Sequence, residues 1–372
     1  MAGQRIPWVL TNQTTLTTFT SDVLSASMTT GRQTYMDVYN GGGLLITINN
    51  DSSQADNFTM NDQIILAYIS GGLYYRQYFR VDEIQFTDYP GDTGLNTATI
   101  SCSDAIARLG RRFVNNQALT QTTCAAQAAQ FNNGTGPTIT AYEILPNSIA
   151  SAINYTGAPM QRINQLINTD RGKLIQYQDT LQFFSRTAIS SYQAAGAFRR
   201  SPTSVDIGYQ EFTRTSLGQN FMNTVEVTPT GGAAQVGTNA TSVAAYGSNY
   251  YSLQSEDYTN AQALGLAEYL ANSQSDPTAL RYEIAFTDRA QNMTALQNFL
   301  LLIKDPGPFT LEVLLPGSSS VEEVSVSVEG YTIDITPAES SFRVSLSPMT
   351  YYQFFTLNSN TLGILNTSRL GW

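Results

Sequence analysis

The chain contains no histidine among its 372 residues. Histidine is the commonest general base and metal ligand, so its absence removes the serine, cysteine and zinc chemistries that depend on it. The only two cysteines, Cys102 and Cys124, form neither a metal-binding motif nor a disulfide framework. Their apolar and Ala-rich settings favour small core residues over a bridge, although pairing stays open. We expect no metal site, no cofactor and no enzyme activity.

Charged residues are also scarce, at 13% of the chain against about 25% in typical proteins. Lys173 and Lys304 are the only lysines, and the net charge is −10. Without a basic block the chain lacks the footprint of a duplex-binding protein, but an acidic chain could line a conduit through which DNA slides without binding. A surface of neutral polar groups suits permanent protein contacts, since these groups cost less to bury than charges; compositional drift would produce the same pattern.

Long apolar runs are missing as well. The start, MAGQRIPWVL, has no hydrophobic region of signal-peptide length, and FLLLI at 299–303 is far shorter than a membrane span of about 18 residues. We therefore expect no membrane anchor and a protein that is soluble or assembled.

Alternating apolar and polar residues, broken by Gly, Asn and Asp, predict short strands over residues 1–102, including the run GRQTYMDVY. Ser103 is the expected cap of a helix that begins DAIARLGRRF, and residues 104–185 are expected to be mostly helical, closing with a hairpin. A further helix is expected over 256–272, with Glu256 and Asp257 at its N-terminus, among strands that continue to residue 347. The predicted divisions are a β-barrel domain at 1–102, an α+β insert at 103–204, a second β-barrel with an embedded helix at 205–349 and a C-terminal arm at 350–372.

The candidate catalytic motifs are weak. The acidic pairs Asp82-Glu83 and Glu322-Glu323 lie in predicted strands, where adjacent side chains point to opposite faces. The glycines at 41–43 precede a strand and lack the Lys-Ser/Thr of a phosphate loop, so they predict a turn. The Arg108, Arg111 and Arg112 cluster is either a solvated helix end or a bidentate contact with an acid of a neighbouring subunit.

Several segments, in order along the chain, resemble minor tail proteins of long-tailed bacteriophages. The first is FTSDVLSASMTTGRQTYMDVYNGGGLLITINN, and the others are VDEIQF, ATISCSDAIARLGRR, APMQRINQLINTDRGKLIQYQDTLQFFSR, TNAQALGLAEYLANSQSDPTALRYEIAF and LNSNTLGILNTSRLGW. Within the first segment, the matching positions are Asp22, Val23, Leu24, Gly31, Arg32, Asp37, Gly42, Gly43, Thr47, Ile48 and Asn50. The chain departs from the family where Asn or Thr replaces Asp, and the loop 187–204 does not align.

The resemblance implies a β-rich α+β fold like that of baseplate hub proteins, with two tube-like β-barrel domains flanking a helical or α+β insert. It implies a homotrimer in the virion, made in the host cytoplasm, that closes the tail tube and lets DNA pass without specific binding. Its implied partners are the distal tail protein, the tape-measure protein and the tail fibre or tip proteins.

The interface candidates are surfaces rather than a catalytic site. The first is the C-terminal arm, and the second is a strand edge from Tyr35 to Gly43. The arm residues are Leu362, Leu365, Arg369, Leu370 and Trp372. The alternatives are a receptor- or carbohydrate-binding tail module that uses some of the 21 tyrosines, and a glycosidase built on two carboxylates.

Overall fold

A computed structural model describes residues 7–70, 73–89, 95–132, 136–143, 148–193, 196–216, 220–257, 259–276, 280–314 and 320–352. The described residues contain many short strands and a smaller number of helices. The helices are α1 (Ala105–Arg111), α2 (Cys124–Ala129), α3 (Pro159–Asp170), α4 (Arg186–Ser191), α5 (Ala240–Tyr246), α6 (Asn260–Ser273) and α7 (Met293–Leu302).

The strands of the first half are β1 (Trp8–Asn12), β2 (Thr17–Thr18), β3 (Val23–Gly31), β4 (Gly43–Asn49), β5 (Gln63–Ser70), β6 (Leu73–Thr87), β7 (Thr97–Ser103), β8 (Val114–Leu119), β9 (Thr122–Thr123), β10 (Thr138–Tyr142), β11 (Ile149–Ala150), β12 (Ile153–Gly157), β13 (Lys173–Tyr177) and β14 (Thr180–Phe184). Those of the second half are β15 (Gly196–Arg199), β16 (Ile207–Gly208), β17 (Glu211–Ser216), β18 (Thr224–Pro229), β19 (Gln235–Thr238), β20 (Tyr250–Ser255), β21 (Leu280–Thr287), β22 (Phe309–Leu314), β23 (Val321–Ile335) and β24 (Ser340–Pro348).

One large sheet of 14 strands contains both ends of the described chain. Its path runs β16-β15-β22-β23-β3-β4-β7-β6-β5-β1-β2, and β24, β21 and β17 extend it from β23. A single apolar core lies behind this sheet and takes residues from both ends, for example Ile46 and Ile100 with Ile333 and Val344. The β-rich α+β class predicted from the sequence is confirmed, and the two-barrel arrangement stays a prediction.

The large sheet contains the same five-strand pattern twice. In the first unit, β3 pairs with β4, β4 with β7, β5 with β6, and β6 with β7. In the second unit, β17 pairs with β21, β21 with β24, β22 with β23, and β23 with β24. All eight pairings are antiparallel. The chain is therefore a structural duplication, which we call unit 1 (β3–β7) and unit 2 (β17 and β21–β24).

The fourth strand of each unit has the same unusual form. Both β6 and β23 are 15 residues long, and each pairs with the preceding strand through its first half and with the following strand through its second half. A bulge separates the halves, at Asp82 in β6 and at Glu329 in β23. A bulge bends a strand and re-aims one side chain, so each unit directs a carboxylate away from its regular ladder.

The two units join where β3 pairs antiparallel with the second half of β23. Gly31 and Gly330 face each other at the start of this pairing. Gly31 has φ +85°, and a Cβ placed on it would lie 2.3 Å from the carbonyl oxygen of Glu329 and 2.6 Å from Cα of Gly330. The two backbones approach this closely only because both positions lack side chains.

Two smaller bodies accompany the large sheet; the first contacts it through β13 and β6, and the second contacts the first through β20 and α3. The first has its own core, formed by α1, α2, α3 and the small sheets between them, and includes Ile163, Leu166 and Phe183. The second is the three-stranded sheet β19-β18-β20 covered by α6, with Val225, Val227 and Leu270 fully buried. The domain boundaries at 102/103, 204/205 and 349/350 stay predictions.

Several local expectations were wrong. Residues 104–172 contain strands β8 to β12 between helices, because polar strands of two to six residues show little alternation. The predicted closing hairpin is confirmed as β13 and β14, which pair antiparallel. The segment GRQTYMDVY is a loop after Gly31 rather than a strand. Helix α7 interrupts the segment that was expected to continue as strands to residue 347, and the run FLLLI lies at its end, where Phe299 and Leu300 join the main core.

Two helix starts also differ from prediction. Asp104, not Ser103, caps α1, and its carboxylate accepts a hydrogen bond from the Ala107 amide at 2.7 Å. Helix α6 begins at Asn260 rather than at 256. Glu256 and Asp257 instead bond the first small body: the Ser151 amide donates to the Glu256 carbonyl at 3.2 Å, and Asp257 forms a bridge to Ala150. The expectation that Cys102 and Cys124 are buried and unpaired is confirmed.

The close approach at Gly31 gives a stability prediction. Gly31→Ala should lower the free energy of unfolding by about 1–2 kcal/mol for the left-handed backbone and by a further ~1–3 kcal/mol for overpacking. Gly231→Ala is the matched control, because Gly231 has φ +78° but no atom within 4 Å of the added methyl. Thermal and urea unfolding of the two variants measure the difference, and equal losses would contradict the tight joint.

Candidate functional surface and the buried charge network behind it

The structure pairs the Arg108, Arg111 and Arg112 cluster within the chain. Arg111 makes a bidentate contact with Asp82, at 2.5 and 2.8 Å, and its side chain is 60% exposed. Arg108 forms a salt bridge with Asp179, and Arg112 donates to the Phe131 carbonyl at 3.0 Å. The acid that meets Arg111 is therefore its own chain's bulge carboxylate, and a role for the cluster between subunits stays a prediction.

The candidate at Tyr35 to Gly43 is not a strand edge. Tyr35 lies in a loop and is only 1% exposed, and its hydroxyl is 3.2 Å from that of Tyr269. Gly43 begins β4, which is paired on one side with β3 and on the other with β7. The aromatic ring of Tyr35 was mistaken for surface because a loop gives no periodicity from which burial can be inferred.

The remaining candidates, Leu362, Leu365, Arg369, Leu370 and Trp372, lie outside the described residues. The chain enters this segment from Tyr352, which is fully buried. Their role as an interface stays a prediction.

Sequence reasoning missed a buried charge network at the joint between the units. The Glu329 carboxylate accepts hydrogen bonds from Arg32 Nε at 2.8 Å and from the Tyr352 hydroxyl at 2.7 Å. Lys173 Nζ lies 3.5 Å from the same carboxylate and donates to the Val328 carbonyl at 2.6 Å. Arg32 follows β3, Lys173 begins β13 and Tyr352 follows β24, so the network connects unit 1, the first small body and unit 2.

Burial and charge oppose each other in this network. Burial alone would raise the pKa of Glu329, but Lys173 and Arg32 lower that pKa below its ordinary value of 4.5. Burial lowers the pKa of Lys173 to about 8, even though Glu329 favours its charged form. The Arg32 and Glu329 side chains are 2% and 0% exposed. Removing one partner would leave an uncompensated buried charge, which costs more than the intact pair contributes.

The network has no room for a substrate. The cavity beside it, lined by Lys173, Glu329 and Tyr331 among others, has a volume of about 30 Å³, which holds a single water molecule. A lysine with a lowered pKa can act as a base or nucleophile, but here its ammonium is enclosed by the carboxylate and two oxygens of β23. The arrangement therefore fixes the position of three parts of the chain.

The opposite face of the large sheet is the extended functional candidate. On β3, β4 and β7, apolar side chains alternate into the core while neutral polar side chains point outward. The outward residues of these strands are Ser25, Ser27, Thr29, Leu45, Thr47, Asn49, Thr97, Thr99 and Ser101. None of them is charged, and the face continues onto β6 on one side and onto β23, β24, β21 and β17 on the other.

Charges on this face lie on the flanking strands, and only some are paired. Glu83 of β6 and Glu211 of β17 are exposed there and form no salt bridge among the described residues. Arg281 and Arg343 both bond Glu283, at 3.0 and 2.8 Å. The Ser27 hydroxyl donates to Asp334 at 2.5 Å across the β3–β23 joint. The face can therefore contact a polyanion or a protein without a strong field of either sign.

No group of three metal-ligating side chains occurs among the residues that the structure describes. Within the same residues, no helix is long and apolar enough to cross a membrane.

The two bulge carboxylates supply a matched test of the network. Glu329→Gln should lower the free energy of unfolding by about 3–5 kcal/mol, because Arg32 and Lys173 lose their buried counter-charge. Asp82→Asn removes the exposed carboxylate at the equivalent bulge and should cost about 0–1 kcal/mol. Urea unfolding at neutral pH measures both changes, and similar costs would contradict a supporting role for the buried network.

The pH dependence follows from the lowered pKa of Glu329. A carboxyl whose pKa is lower in the folded than in the unfolded state stabilises above its ordinary pKa, and this contribution is lost as the pH falls below that value. The stability difference between the parent chain and Glu329→Gln should therefore shrink as the pH falls below 4.5. A difference that stays constant down to pH ~2 would show that the loss comes from packing rather than charge.

No family model matches the sequence, and no curated protein matches it. Solved structures of low sequence identity share its fold. A 43 kDa tail protein of prophage MuSo2 from Shewanella oneidensis is 12% identical, with a TM-score of 0.61 over 94% of this chain and 98% of its own. A tail protein from Neisseria meningitidis MC58 is 8% identical, with a TM-score of 0.62 over 93% of this chain and 97% of its own.

A third structure broadens the likeness. The E. coli c3393 protein, described as a component of the type VI secretion system with structural similarity to the T4 bacteriophage tail proteins gp27 and gp5, is 10% identical, with a TM-score of 0.51 over 88% of this chain and 73% of its own. The resemblance to phage tail proteins inferred from sequence segments is confirmed at the level of the fold: this chain folds as phage tail proteins do.

Proposed function

We propose that the chain is a structural, non-catalytic subunit of a bacteriophage tail tip, of the hub or minor-tail type. The observation that carries the proposal is the duplicated five-strand unit within one sheet, in a fold shared over nearly its full length with tail proteins. As a homotrimer it would present two similar units per chain, and six units match a sixfold tail tube. Each unit would then correspond to one tube-like barrel.

The neutral face of the large sheet is the surface that we assign to the conduit. Its opposite side is covered by the main core, and its outward residues on β3, β4 and β7 are exposed or partly exposed. An outer surface crowded with acids would have argued against a conduit for DNA. The central strands β3, β4 and β7 instead point only uncharged side chains outward. Such a lining neither attracts nor strongly repels phosphate, so DNA passes without specific binding.

The proposed partners follow from position. The distal tail protein would contact the ring from above, the end of the tape-measure protein from inside, and fibre or tip proteins from below. The C-terminal arm would supply one of these contacts or a contact between subunits. The chain would be made in the host cytoplasm and function in the virion.

One observation favours a second candidate, a receptor- or carbohydrate-binding module. Tyr246, Tyr250 and Tyr251 are 59%, 57% and 36% exposed on the small body that contains β18 to β20. Exposed tyrosines stack against sugar rings. Saturable glycan binding that is lost in Tyr250→Ala, by a chain that stays monomeric, would favour this function over the hub.

The oligomeric state tests the hub proposal directly. Native mass spectrometry of the purified chain, and of the chain released gently from tails, should give a mass three times that of one chain. A strict monomer in intact particles would refute the hub.

The conduit assignment predicts an effect of added positive charge. Thr47 and Thr99 face each other across β4 and β7 on the neutral face. Thr47→Lys together with Thr99→Lys should slow DNA release from particles, and the slowing should weaken as salt is raised, because lysines bind phosphate. Asn115→Lys together with Ala118→Lys, at two exposed positions of β8, adds the same two charges elsewhere and should leave release unchanged. Unaltered release in the double variant would remove this face from the conduit.

A further inference from the structure

Besides the two-residue strands β2 and β16 at the ends of its path, the large sheet has two longer edges that lack a partner among the described residues. In unit 2, the second half of β23 pairs with β24 on one edge and with β3 on the other. In unit 1, the equivalent half of β6 pairs with β7 alone. At the far end, β17 pairs with β21 and with no second strand. Unit 1 thus shows an open edge where unit 2 shows a paired one.

The two units can be aligned residue by residue through their fifth strands. Phe86 of β6 pairs with Ala98 of β7, and Ile333 of β23 pairs with Phe342 of β24 at the same distance beyond the bulge. The alignment can be carried from the fifth strand of each unit through the second strand to the first. It makes Arg214 of β17 equivalent to Met28 of β3. The joint within the chain brings Ile333 opposite Met28.

Phe86 lies where unit 1, among the described residues, has no strand equivalent to the β3 that covers unit 2. Ile333 is 0% exposed because β3 covers it, whereas Phe86, at the equivalent position, is 50% exposed. Its side chain points to the core face of the sheet, as its neighbour Ala98 does, yet no strand covers it in the described chain. A large aromatic side chain on an open strand edge is a liability that proteins normally cover.

The edge of β17 is the complementary surface. Five of its six residues are exposed. It presents Arg214 at the position that Met28 takes within the chain, and Arg214 forms no salt bridge among the described residues. An arginine placed opposite Phe86 would lie over its ring, with Asp88 as the diagonal neighbour on the same face.

We propose that the second half of β6 pairs antiparallel with β17 of a second copy of this chain, repeating between chains the joint that β23 and β3 make within one. The register follows from the internal joint. Phe86 lies opposite Arg214 of the second copy, Gln85 opposite Thr215, and Thr87 opposite Thr213. The interface uses two different surfaces, so it is heterologous. It closes into a ring when a whole number of the rotations that relate neighbouring chains makes one full turn.

This inference rests on the proposed function only for the number of copies in the ring. For that function, the edge pairing would make the neutral face continuous from one chain to the next. The sheet would then have no open edges around the conduit.

Engineered cysteines test the register. In the internal joint, the hydroxyls of Thr29 and Thr332 lie 3.3 Å apart, and Thr215 and Gln85 are their equivalents. A chain carrying Gln85→Cys is mixed with a chain carrying Thr215→Cys and oxidised gently. We expect a disulfide-linked pair of chains as the main product. Cys102 and Cys124 are buried and should contribute little background.

The control mixes Gln85→Cys with Thr213→Cys, a position two residues out of register on the same face. It should give at least about tenfold less linked product, because cross-strand Cβ atoms two residues out of register are about 7–8 Å apart. If the chain forms oligomers but the matched pair gives no more linked product than this control, the edge pairing is wrong and the hub proposal is unaffected. A chain that is monomeric both in solution and in particles would overturn both.

A second pair of variants measures the role of Phe86 without cross-linking. Phe86→Ser should weaken self-association by at least about tenfold, since burial of the ring is lost and no acid is placed opposite Arg214. Phe113→Ser changes a phenylalanine that is 68% exposed on the first small body rather than on β6 or β17, and it should leave association unchanged. Unchanged thermal unfolding of the Phe86→Ser monomer separates this loss from misfolding. Equal association of the two variants would contradict the proposed interface.

Discussion

The pairing of β3 with the second half of β23 is the constraint on which the architecture depends. It brings residues 26–31 against residues 330–335, so the chain cannot complete its main sheet until both ends have been made. The joint needs two glycines in close contact and a bulge that turns Glu329 toward Arg32 and Lys173. Backbone pairing supplies the geometry, and the buried charges make other geometries costly.

The network at this joint explains how the first small body keeps its position on the sheet. Lys173 begins β13 in that body, yet its ammonium bonds oxygens of β23 and of the Glu329 side chain. A charge inserted from one part of the chain into a low-dielectric site of another part fixes their relative position, since any separation exposes an unpaired ion.

The low content of charged residues is reflected in the neutral face of the large sheet. The outward residues of the central strands are Ser, Thr and Asn with one Leu, and the charges lie on the flanking strands, where Arg281 and Arg343 bond Glu283. A neutral polar face is consistent with a conduit and with permanent contacts, and composition alone could not choose between them. In the structure the neutral residues lie on the central strands β3, β4 and β7, whereas Phe86 and Arg214 lie on the strands β6 and β17.

Sequence patterns determined much of this protein. They determined the β-rich class, the strands with clear alternation such as β3 and β4, the amphipathic helices α3 and α6, and the burial of both cysteines, because each depends on periodicity or composition within a short window. The duplication, the joint at Gly31 and the Glu329 network were decided only by the tertiary structure. Their partners lie up to about 300 residues apart in sequence, Arg32 and Glu329 among them. Backbone pairing between distant strands leaves no periodic trace in either of them, so no local pattern could reveal which charges and edges would meet.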